Sequence, residues 1–164
     1  MAILDVLQRV QDSDLAMTFL SSQYVYPAVE SLHVLGLALS VGLLAIADLR
    51  LIGALLRKQP VEDSLQPLRP WMLAGFALMF VTGVMLFCTE AAKLALNPLF
   101  LAKMVFVALA GANALYFEFK LGRRVASWPD QLKAPVAARL AGVASLACWA
   151  VVILCGRWIA YAGA

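Results

Sequence analysis

The chain has a single histidine, His33, three positions after Glu30 in the stretch YPAVESLHVLGLALSVGLLAIADLRLIG, residues 26–53. Three residues make about one helical turn, so an acid and an imidazole share one face of any helix formed here. The rest of the stretch is apolar. A charge at the centre of a bilayer costs about 2.5–3.5 kcal/mol on the insertion scale, so ionisable groups in such a segment face one another, a wet cavity or a ligand. Imidazole adds chemistry of its own: it titrates near neutral pH, and in its neutral form it ligates metals and haem iron.

The elements that must position these groups are membrane helices. Of the 164 residues, 63% are hydrophobic, and the mean hydropathy is +0.86. A hydrocarbon layer about 30 Å thick takes about 20 residues at 1.5 Å each. Four runs are long enough, at about 26–47, 71–89, 100–119 and 140–159. They lack the alternation of barrel strands, and helices satisfy their own backbone in lipid. The fold expected is all-α, an integral membrane four-helix transmembrane bundle over residues 23–164. Residues 1–22 precede it as an amphipathic interfacial helix, with Ile3, Val6, Leu7 and Val10 at helical spacing. Ser13 and Asp14 are N-caps for a second turn through Leu15 and Phe19. Asp5, Arg9, Asp12 and Asp14 interrupt any apolar leader, which predicts no cleavable signal.

Counting back about 20 residues from Asp48 puts Glu30 about 3 Å and His33 about 8 Å below the far boundary. Lys103 falls at a similar depth, and Glu90 and Arg157 lie near the same ends of their spans. The expected site is therefore a cluster of Glu30, His33, Glu90, Lys103 and Arg157, with Asn113 deeper. Glu30, His33, Gly36 and Ser40 form one small and polar stripe, and Lys103, Ala110, Asn113 and Ala114 form another. The two stripes are expected to meet. Plainer alternatives stand beside this: Lys103 snorkelling to headgroups, Arg157 anchoring with Trp158 and Tyr161, and Glu90 solvated with Lys93.

Nine cations lie on one side of the membrane: Arg50, Arg57, Lys58 and Arg69, then Lys120, Arg123, Arg124, Lys133 and Arg139. Arg9, Lys93, Lys103 and Arg157 lie on the other. The positive-inside rule then sets both termini outside the cytoplasm, on the periplasmic face of a bacterial inner membrane. The basic loops, RKQPVEDSLQPLRP and RRVASWPDQLKAP, read as turns and not domains. A short echo links ADLRLIG and LAGFAL to FEFKLG and LAGVASL, too brief to carry functional weight. Phosphate-binding glycine loops, nucleophile elbows, zinc helices and C-x-x-C pairs are missing from the sequence. The net charge of +3 is accounted for by loop topology, so nucleic acid is not a partner. Met85, Cys88, Met104 and Cys155 share the outer half with His33 and could offer soft ligands to copper, though such residues more often fill helix contacts. A Cys88–Cys155 disulfide is conceivable but unsupported.

The stretches ESLHVLG with DLRLIG, VTGVMLF with TEAAK, NPLFLAK with NAL, and GRWIAY resemble a family of small, uncharacterised, four-span bacterial inner-membrane proteins. The resemblance emphasises Glu30, His33, Asp48, Arg50, Glu90, Asn97, Lys103, Asn113, Gly156 and Arg157, and implies no particular activity. A looser likeness, in architecture and an outer-half histidine, is to membrane four-helix cytochromes b and copper-resistance membrane domains. One histidine falls short of bis-histidine ligation within a chain, so a haem b would be five-coordinate or shared between two copies. Three readings result. The first is a small-ligand or redox-cofactor site, for haem or quinone; the second is a proton or metal transport accessory. The third is a structural subunit of a membrane complex. The lipid bilayer is a partner in all three, and a homo-oligomer is expected.

Overall fold

Long apolar runs between proline-bearing loops fold into helices whose ends are set by caps. In the computed structural model residues 2–128 and 132–161 are described. Pro129, Asp130 and Gln131 of the second basic loop, the last three residues of the transmembrane domain and the side chain of Leu15 lie outside that description. All regular structure among the described residues is helical.

Helices α1 (Ala2–Gln11) and α2 (Asp14–Ser21) form the N-terminal segment. Between them the Ser13 hydroxyl accepts the Ala16 amide at 3.4 Å, the capping bond its position predicts. Helix α3 (Val25–Ile52) ends at Gly53, which takes φ +84°. The Gly53 and Ala54 amides turn back to the carbonyls of Arg50 and Leu49 at 3.1 and 2.9 Å, as glycine-terminated helices do. Next come the short α4 (Val61–Leu65), α5 (Arg69–Thr89) and α6 (Ala91–Leu96). Helix α7 (Pro98–Tyr116) starts at a proline and is capped by Asn97, whose side chain accepts the Leu99 and Phe100 amides. It loosens into a π turn over Phe117–Leu121 and a 3-10 turn over Gly122–Ser127. Helix α8 (Val136–Ile159) completes the chain.

Four of these segments are long and apolar enough to cross a membrane: Val25–Ile52, Val61–Thr89, Pro98–Ser127 and Val136–Ile159. The chain is an integral membrane protein with an all-α four-helix core. An even number of crossings puts both termini at one end of the bundle. There α1 and α2 pack on α5 and α6, and Gln11 accepts the Ala92 amide at 3.2 Å. Apolar residues of α1 such as Ile3 and Val6 stay exposed, as suits a helix lying at a membrane surface.

Small residues decide which helices touch. A Cβ on Gly75 would stand 2.8 Å from the Ser40 amide nitrogen, and one on Gly36 3.2 Å from the Met79 nitrogen, so α3 and α5 cross in backbone contact. On another side of α3, a Cβ on Gly142 would stand 3.1 Å from the Asp48 carbonyl, with Ala138, Ala141 and Ser145 buried nearby along α8. The stripe of α3 therefore does not meet that of α7, contrary to expectation. Gly36 and Ser40 are taken up by glycine-bearing α5, while Ala110 and Asn113 of α7 face α8. Among the described residues α5 and α7 do not pack along one another, and side chains fill the middle instead. Trp149 packs on Phe76 at 5.4 Å between ring centres, within a core including Val41, Ala110 and Val152. A second core, of Leu51, Val61, Val125, Trp128, Ala134 and Ala138, closes the loop end.

Candidate functional site

His33 sits on α3 two turns before Ser40, so it emerges beside α5 where the two helices run close. Its ring packs on Gly83, where a Cβ would lie 3.1 Å from the imidazole Cε1. Its Nδ1 is 2.9 Å from the Thr82 hydroxyl oxygen. Thr82 is buried and donates its single hydroxyl proton to the Leu78 carbonyl at 2.7 Å. With that proton on Leu78, Thr82 accepts from Nδ1–H and the lone pair resides on Nε2. The half-buried ring is thus held in position by Thr82 and Gly83.

Lys103 approaches from α7. Its Nζ reaches α8 beside Gly156, where a Cβ would meet it at an ordinary contact distance of 3.6 Å, and lies near Cys155. Its charge reaches His33 electrostatically. No carboxylate among the described residues lies within ion-pairing distance of it; the ion pairs found there are Arg69–Glu118 and Lys93–Glu90. An ammonium held within a membrane bundle without a counter-ion is an unmet electrostatic demand, and a ligand can meet it.

The other expected members are distributed differently. Glu30 is exposed, and its carboxylate acts, together with that of Glu90, on Tyr26 at the end of the bundle. Glu90 also pairs with Lys93 at 3.4 Å, one turn away, with both side chains open to solvent. Arg157 is exposed, lies over the Tyr161 ring at 4.9 Å and donates to its hydroxyl, the interfacial-anchor arrangement. Asn113 donates to the Ala141 carbonyl at 3.0 Å and ties α7 to α8. The structure thus puts His33 within electrostatic reach of Lys103 and Tyr26 within that of Glu30 and Glu90, and leaves Arg157 and Asn113 with partners of their own.

Cys88, Cys148 and Cys155 are free thiols, so Cys88 and Cys155 are not bridged. Met85 and Met104 are exposed. Among the described residues no three His, Cys, Asp or Glu side chains gather as a metal site would require.

A family profile described as a family of unknown function (DUF6644) matches residues 17–162. The chain belongs to this family. The match takes in all four membrane helices and the end of α2, and it accords with the uncharacterised family expected from the sequence. No curated protein and no solved structure matches the chain. Site assignment in this DUF6644 chain therefore rests on its own geometry.

Two polar groups that the resemblance emphasised but the expected site left out belong to the other end of the bundle. Asp48 and Arg50 are 4% and 1% exposed, although their charges mark them as edge and loop residues. Asp48 faces α8 with Ser145 as its hydrogen-bonding neighbour, and its Oδ2 has no partner among the described residues. Arg50 donates to the Gln59 carbonyl and, at 3.2 Å, to that of Leu132. Thr82, the hydrogen-bond partner of His33, was missed: a lone threonine in an apolar helix gives no signal until the helix facing it is known.

Proposed function

We propose that the chain is a bacterial inner-membrane protein, with both termini periplasmic, that binds a small amphipathic redox molecule at its outer-half His33–Lys103 site. The observation that carries this is the pairing of an imidazole whose Nε2 lone pair is free with an ammonium that has no carboxylate partner among the described residues. A quinol and quinone pair suits both groups. Nε2 accepts a hydroxyl proton of the reduced form, and the Lys103 ammonium donates to a carbonyl of the oxidised form.

Haem b uses the same two groups differently, with Nε2 on iron and Lys103 on a propionate. Having one histidine per chain, a six-coordinate haem would join two copies across a two-fold axis. Copper is less well served, because the Lys103 ammonium beside Cys155 repels a cation at that thiol.

The test is the absorption spectrum of the protein purified in mild detergent, with solvent extraction of bound quinone and a titration with a short-chain quinone. Bound or titratable quinone that is lost in His33→Ala and in Lys103→Met supports the proposal. A Soret band lost in His33→Ala assigns haem. A folded protein with neither chromophore nor quinone binding, or binding indifferent to both substitutions, overturns it.

A further inference from the structure

We infer that the basic cavity at the loop end of the bundle binds a phosphate-bearing anion, drawn from an acidic phospholipid headgroup or from free inorganic phosphate. The cavity has a volume of about 450 Å³, within the range of small-molecule sites. It is lined by four cationic side chains, Arg50, Arg57, Lys133 and Arg139, drawn from α3, the loop after it, and the approach and first turn of α8. No acidic residue stands among the described lining residues.

The positive-inside rule explains why cations are abundant at this end, but not why these converge. Other cations of the same end have partners outside the cavity: Arg69 pairs with Glu118, and Arg123 lies 5.0 Å from the centre of the Phe119 ring. Arg50 is the decisive member. It is 1% exposed, its Nη2 holds the carbonyls of Gln59 and Leu132 from two separate loops, and its buried Nε has no partner. A buried guanidinium with an unpartnered donor, at a cavity lined by three more cationic residues, is an electrostatic demand that an anion can meet. The site lies where α3 ends at Ile52, so it opens at headgroup depth; basic pockets between membrane helices recognise acidic headgroups in this manner.

The full chain, purified in detergent and stripped of lipid, is tested with phosphatidylglycerol against phosphatidylcholine by native mass spectrometry, and with inorganic phosphate by calorimetry. Selective retention of phosphatidylglycerol alone identifies a lipid headgroup, and heat with inorganic phosphate identifies a soluble anion; either supports the site. Arg57→Gln with Arg139→Gln removes two exposed cations and should weaken the binding about thirtyfold, at about fivefold per cation. Arg57→Lys with Arg139→Lys should keep it within a few-fold. Thermal unfolding verifies that each variant is folded, and Lys133→Gln, with about a fivefold loss, substitutes for a double variant that is not. Equal retention of both lipids with no phosphate heat, or binding unchanged in the folded neutral variants, overturns the inference.

Discussion

Replacing Gly75 by alanine should push α3 and α5 apart and loosen the histidine site with them. The new Cβ would meet the Ser40 nitrogen at 2.8 Å, its Cβ at 3.0 Å and its Cα at 3.1 Å, where ordinary contact begins at 3.4 Å. Those atoms are backbone or fixed to it, so no flexible side chain can yield and the helices must separate by several tenths of an ångström. Overpacking of this kind costs about 1–3 kcal/mol, and the better helix propensity of alanine returns about 0.5–1 kcal/mol, leaving a net loss of about 1 kcal/mol. Gly42 is the control: nothing lies within 4 Å of its Cβ, so Gly42→Ala should gain about 0.5–1 kcal/mol. Because α3 and α5 are antiparallel, His33 and Thr82 lie about two turns from Ser40 and Gly75 in the same direction. Their 2.9 Å hydrogen bond should lengthen in Gly75→Ala and persist in Gly42→Ala. Unfolding by sodium dodecyl sulfate in mixed micelles, followed by tryptophan fluorescence, measures the stabilities, and quinone titration reports on the site. A Gly75→Ala protein as stable as Gly42→Ala would refute the backbone contact and the reasoning built on it.

Asn113→Ala should destabilise by about 0.6 kcal/mol, the usual worth of an interhelical hydrogen bond in a membrane, by loss of its bond to the Ala141 carbonyl. The same unfolding titration measures it. Thr82→Val keeps the side-chain volume but strips His33 of its acceptor. Ligand affinity should fall with little change in stability, and unchanged quinone binding would show that the tautomer is not held by Thr82. Ser40→Ala should stay within about 0.5 kcal/mol of the parent, because its hydroxyl bonds the Gly36 carbonyl of its own helix and not its neighbour. Breaking the exposed Arg69–Glu118 pair by Glu118→Gln should cost no more than about 1 kcal/mol, checked by thermal unfolding.

Length and hydropathy are one-dimensional, and they located four spans to within a few residues at most ends. The first span runs on to Ile52, past the end expected at Ala47, because a hydropathy count assigns Asp48 and Arg50 to water. In the fold, α8 covers Asp48, and two loops supply carbonyls to Arg50. Depth counting expected His33 and Lys103 in one layer near one end, and in the fold the Lys103 charge reaches His33. Depth does not determine azimuth, however. Glu30, one turn from His33 and nearer the helix end, is exposed toward Tyr26, and Arg157 turns to Tyr161, four residues further on. The stripe Gly36–Ser40 announced a close helix contact without naming the partner, since any glycine-bearing helix could take it. That choice depends on Gly75, a residue forty-two positions from the histidine it helps to seat.

The short echo between LAGFAL and LAGVASL acquires a physical meaning at this point. Its two glycines, Gly75 on α5 and Gly142 on α8, both stand against α3, the first at Ser40 and the second at Asp48. Had the two hairpins been copies in packing as well as in pattern, Gly142 would press on α7, its own hairpin neighbour, as Gly75 presses on α3. The echo instead puts one glycine on each of two sides of a single helix. Ser40 and Asp48 are eight residues apart, about 12 Å along α3 and about 80° around it at 3.6 residues per turn. Helix α3 is consequently held by α5 nearer the His33 end and by α8 nearer the Arg50 end. That arrangement explains how one helix can present an oriented imidazole at one membrane face and a buried guanidinium at the other, with the backbone fixed close to each.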